Sequence, residues 1–129
     1  MIPRNGPFII AIEFVPKRKC PNHGLTEVQL TKEGLPIYRV TVVRERREEQ
    51  TQDTLAHEFG HVIASIFRTE ASAKDPRFGS NRENVDIDTL NIGERCALYD
   101  AEREAWDFAI KIRPSVNRRQ MRESLETYV

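Results

Sequence analysis

The chain has 129 residues, enough to bury a single core without cross-links, and its 20 basic and 20 acidic side chains cancel. Balanced charge leaves no field to favour nucleic acid or an anionic membrane, so neither is expected as a partner. No apolar run approaches the ~20 residues of a membrane span, and Met1–Val15 carries Pro3 and Glu13 without a small-residue cleavage pattern. The expectation is one cytoplasmic domain over residues 1–129, with Cys20 and Cys96 as reduced thiols.

Phe8–Val15 is short, β-branched and aromatic and stops at Pro16, which predicts a strand. Cys20-Pro21-Asn22-His23 has the spacing of half a structural zinc site, but no second half accompanies it and a basic surface turn is the expectation. Thr26–Thr31 alternates, Lys32-Glu33-Gly34 turns, and Ile37–Val43 alternates again with Tyr38, Val40 and Val42 on one side, so the two runs pair as a hairpin. The first third therefore reads as a small antiparallel or mixed sheet.

The charged run Arg44–Gln50 leads into a predicted helix capped by Thr51 or Asp53. Leu55, Phe59, Val62, Ile63 and Ile66 form its core stripe, and His57 and His61 lie nearly opposite, facing water or a cleft built by another element. Residues 69–92 form a polar stretch too long for a plain connector. Asn91 with Glu94 fits a capping box for a second helix running to Arg113, with apolar spacing at Leu98, Ala101, Ala105, Phe108, Ala109 and Ile112 and a stop at Pro114. A more polar third helix is expected over Val116–Tyr128, touching the core through Val116, Met121, Leu125 and Tyr128.

His57-Glu58-Phe59-Gly60-His61 reads H-E-x-x-H. Four residues apart on a helix, the two imidazoles sit one turn apart on one face, the geometry of two ligands to one zinc ion. Glu58, about 100° round the helix from His57, is placed to reach a water rather than the metal, as a general base requires. A catalytic zinc takes a third protein ligand, and no histidine follows His61, so a carboxylate is expected. The second helix offers Glu102 and Glu104, which point about 200° apart, so at most one faces the ion. The apolar face, with Leu98 and Trp106 included, is centred nearer Glu102, leaving Glu104 as the alternative and His23 as a remote third.

Thr54-Leu55-Ala56-His57-Glu58-Phe59-Gly60-His61, followed some forty residues later by Glu102-x-Glu104-Ala105-x-x-Phe108-Ala109, resembles the ImmA/IrrE-type zinc metallopeptidases over roughly residues 37 to 113. The resemblance implies an α+β minimal zincin, a reduced relative of thermolysin in which a small sheet packs on the H-E-x-x-H helix and a second helix donates a glutamate. It implies Zn2+ held by His57, His61 and Glu102, with Glu58 as general base in the hydrolysis of a protein or peptide substrate. Trp106 departs from the family pattern, which has Asn or Asp there, and an indole cannot accept the hydrogen bond that orients a ligand imidazole. The oxyanion candidates are Tyr99 and the bases of the 69–92 stretch, and the substrate is expected along an edge of the sheet. The competing expectation is a zincin-like scaffold serving as a binding or assembly protein of a phage or mobile element, without proteolysis.

Overall fold

The strand with the strongest apolar alternation takes the centre of the sheet. In the computed structural model, which describes residues 7–17, 23–75 and 87–128, a three-stranded mixed sheet contains β1 (Ile9–Val15), β2 (Gly24–Leu30) and β3 (Pro36–Val43) in the order β1-β3-β2. Tyr38, Val40 and Val42 on β3 are essentially inaccessible to solvent. β2 and β3 form the expected antiparallel hairpin, with Thr26 opposite Val40 and Val28 opposite Tyr38. Its turn closes through Gly34 N–H donating to Thr31 O at 2.9 Å, with Gly34 at φ 83°, a conformation that glycine adopts without a Cβ clash. β1 pairs with β3 in parallel, Ile9 opposite Ile37 through Val15 opposite Val43, so the sheet is mixed rather than wholly antiparallel. That pairing joins segments more than twenty residues apart, beyond the reach of turn chemistry.

Among the described residues four helices complete this α+β fold: α1 (Glu48–Phe67), α2 (Glu70–Lys74), α3 (Ile92–Ile112) and α4 (Arg118–Glu126), with a 3-10 turn at Ile87–Thr89. α1 begins earlier than expected. Arg47 occupies its N-cap without a side-chain cap, and Glu48 and Glu49 in the first turn interact favourably with the helix dipole instead. Thr51 and Asp53 are therefore inside the helix and buried, Thr51 bonded to the chain just before the helix and Asp53 to the chain beyond α3. Thr51 Oγ1 accepts from Glu45 N–H at 2.9 Å, and Asp53 accepts from Arg113 Nε at 2.8 Å and Asn117 N–H at 3.2 Å. The polar stretch after residue 68 contains α2, capped by Thr69; residues 76–86, including the bases Arg77 and Arg82, lie outside the described residues.

α1 is buried on two sides. Val62, buried, packs with half-buried Leu55 and Ile66 on Tyr38, Val40 and Val42 of the sheet, and Phe59 and Ile63 from the same expected stripe are likewise half-buried. The opposite side packs against α3, where Ala56, Gly60 and Ala64 recur every four residues, as do Ala101, Ala105 and Ala109 on α3. A Cβ at Gly60 would sit 2.1 Å from Ala105 O, so the helices touch backbone to backbone at that point. The expected capping box starts α3: Glu94 N–H donates to Asn91 Oδ1 at 2.8 Å and Asn91 N–H to Glu94 Oε1 at 3.4 Å. The buried side of α3 carries Leu98, Ala101, Glu102, Ala105, Trp106 and Ala109, so the face turns away from Phe108, half-buried, and Ile112, exposed. α4 is shorter than expected because Asn117 caps it, accepting from Arg119 and Gln120 N–H. Val116, buried just before that cap, joins Met121 and Leu125 against Ala56, Trp106 and Ala109. No described helix is long and apolar enough to cross a membrane.

Candidate metal centre

The close helix contact at Gly60 decides what the two histidines face. Because Ala105 sits against the α1 backbone, the α3 residue one turn earlier, Glu102, lies directly across from His57 and His61. Its carboxylate spans both rings. His57 Nε2 is 2.8 Å from Glu102 Oε2, and His61 Nε2 is 3.1 Å from Glu102 Oε1. Each oxygen of the carboxylate thus stands at hydrogen-bond distance from one Nε2, and the two Nε2 atoms that face it are imidazole nitrogens of the kind a metal takes as ligands. Glu102 is 2% exposed and both histidines are buried, and the pairing gives the buried carboxylate polar partners.

Glu58 completes the cluster from the other side. One donor atom each from His57, Glu58 and His61 lies within 4.8 Å of the others, a buried group that can hold a metal ion. Two three-residue sets thus meet at the same imidazoles, one closed by Glu58 and one by Glu102. The hydrogen bonding separates them. Glu58 Oε2 accepts a 2.6 Å bond from Thr26 Oγ1 on β2, which draws the carboxylate toward the sheet, and Oε1 stands 3.7 Å from His57 Nδ1. Glu102 instead offers one oxygen to each Nε2. The donor set of two imidazoles and one or two buried carboxylates is one that can hold a divalent metal ion.

The remaining residues singled out from the sequence are placed as follows. Glu104 is engaged away from the histidines, accepting from Thr69 Oγ1 at the N-terminus of α2. His23 pairs with Glu45, Nδ1 to Oε1 at 2.7 Å, and Lys17 approaches the other oxygen at 3.6 Å. Cys20 lies outside the described residues, and Cys96 is an exposed free thiol. Tyr99 is half-buried one helical turn before Glu102. Trp106 stacks on His57, ring centroids 4.1 Å apart and planes 7° from parallel.

Two contributors escaped the sequence reading. Thr26 looked like an ordinary strand residue; the one available signal was its place on the same side of the hairpin as the apolar Val28, where a polar side chain needs a partner. Gly24, one pleat earlier on that side, lets β2 approach the helix: a Cβ there would lie 3.0 Å from Glu58 Cγ. Comparison with protein-family models, with curated proteins and with solved structures found no match.

Proposed function

We propose that the chain is a zinc-dependent metallopeptidase of the zincin type, related to the ImmA/IrrE group, with His57 Nε2, His61 Nε2 and a Glu102 oxygen as ligands. The observation that carries this reading is the division of labour between the two buried glutamates: Glu102 spans both Nε2 atoms, whereas Glu58 is turned aside by Thr26. A purely structural ion needs no second carboxylate held off the ligand set. Zinc in such a site supplies Lewis acidity that polarises a scissile carbonyl and brings the pKa of water to about 7.

Glu58 takes the proton. With Oε2 fixed by Thr26, Oε1 is the oxygen that accepts from the attacking water and then returns the proton to the leaving amine nitrogen. Among the described residues β2 pairs with β3 along one edge only, so its other edge offers backbone N–H and C=O groups beside Glu58 for an extended peptide to add as a strand. Burial of the cluster keeps bulk water from competing for these groups.

The test joins metal content to cleavage of a peptide library read by mass spectrometry. Near one zinc per chain is expected for the wild type, Glu58→Gln and Glu104→Ala, and a large loss for Glu102→Ala. Glu58→Gln should reduce cleavage by about 10²–10⁴-fold with the metal retained. Zinc uptake by the wild type without any cleavage would indicate a binding scaffold, and undiminished cleavage by Glu58→Gln would remove Glu58 as general base; a wild type that takes up no zinc rejects the peptidase reading outright.

A further inference from the structure

We infer that Trp106 is a positioning residue for His57, its indole setting the plane of the imidazole so that Nε2 faces Glu102. The inference rests on the metal site proposed above but not on peptidase activity. An imidazole on a helix turns about two side-chain torsions, and the ring torsion is broad, so a helical position alone does not aim Nε2. Here the aim is set by a flat partner. The indole lies 4.1 Å from the imidazole at 7°, while His57 and His61 meet only at a 60° tilt and 4.9 Å, so the two ligand rings do not hold each other by stacking. Rotation of the His57 ring away from Glu102 would drive its edge into the indole face.

The indole is itself fixed. Trp106 is 2% exposed, its Nε1–H donates to Ser124 Oγ of α4 at 3.4 Å, and it packs in the cluster of Ala56, Ala109 and Val116 with Met121 and Leu125. A rigid ring in contact with a ligand side chain sets that ligand's orientation as a hydrogen-bonding partner does, through lost rotamer freedom instead of an acceptor atom. Trp106 therefore supplies by stacking the restraint that an oxygen at this helical position would supply by accepting a hydrogen bond.

Trp106 is the only tryptophan of the chain, so its fluorescence reports on the site directly. Zinc titration of the metal-free wild type should change the emission and saturate at one equivalent. Affinity, measured by competition with a chromophoric chelator, should stay within about threefold in Trp106→Phe and fall about 10–100-fold in Trp106→Met, the range for lost outer-shell partners. Leu125→Ala, which hollows the same cluster without removing the ring, should lower the thermal midpoint and leave zinc affinity unchanged. Wild-type affinity in a folded Trp106→Met, or equal weakening by Leu125→Ala, overturns the inference, as does emission indifferent to stoichiometric zinc. Tight zinc binding without any cleavage ends the peptidase reading and leaves this one standing; no zinc binding by the wild type overturns both.

Discussion

The two sides of α1 are buried by different means. Toward the sheet, Val62 with Leu55 and Ile66 meets Tyr38, Val40 and Val42, and the stabilisation is apolar area. Toward α3, the buried residues are Ala56, His57, Gly60, His61 and Ala64, which contribute little apolar volume but let the helices approach until backbones touch. One side stores stability; the other places charged and polar groups at close range and relies on their mutual pairing. The chemistry-bearing side is the more completely covered of the two, because Glu102 compensates the buried imidazoles that would otherwise be costly there.

That contrast breaks most sharply at Gly60. Gly60→Ala places a methyl against an immovable backbone carbonyl, so the helices must part and the histidines withdraw from Glu102. A loss of about 3 kcal/mol in denaturant unfolding, the upper end of ordinary overpacking costs, is expected together with loss of bound metal. Normal metal content in a Gly60→Ala chain would show that the close contact does not set the site.

Val62→Ala probes the other side. Val62 is fully buried on the sheet, and its truncation should cost about 2 kcal/mol. Metal stoichiometry should not change, and if it falls as in Gly60→Ala, the two sides are one cooperative unit.

The smallest effect on stability is expected at Thr26, which links the sheet to Glu58. Thr26→Val keeps the shape and removes the donor, costing about 1 kcal/mol. On the proposed peptidase reading, turnover should nevertheless fall about tenfold with KM little altered, because Glu58 loses its alignment, and Thr26→Ser should restore most of it. A Thr26→Val chain with normal turnover would reduce the hydrogen bond to packing.

Local signals were legible where they depended on neighbours three or four residues away. The Asn91–Glu94 capping box, the turn at Gly34 and the apolar alternation of β3 are each decided within a single turn or strand, and each is found in the fold. The N-terminus of α1 was misread because Thr51 and Asp53 have cap chemistry, yet Thr51 accepts from Glu45 N–H in the preceding segment and Asp53 from Arg113 and Asn117, partners that only the folded chain supplies. The apolar faces failed in a similar way. Phe108 and Ile112 fit the helical period of α3, but the small residues facing Gly60 and the large Trp106 won the buried side.

By itself the sequence determined that two histidines and a glutamate share one helix at metal-binding spacing, and that Glu102 lies nearer than Glu104 to the buried face of the next helix, since helical periodicity is a property of the chain. Tertiary structure decided the rest: the parallel docking of β1 on β3, the bridging of both imidazoles by Glu102, the capture of Glu58 by Thr26 and the stacking of Trp106 on His57. Each joins residues 28 to 49 positions apart, and such contacts follow from how close two packed surfaces can come, which no local pattern encodes.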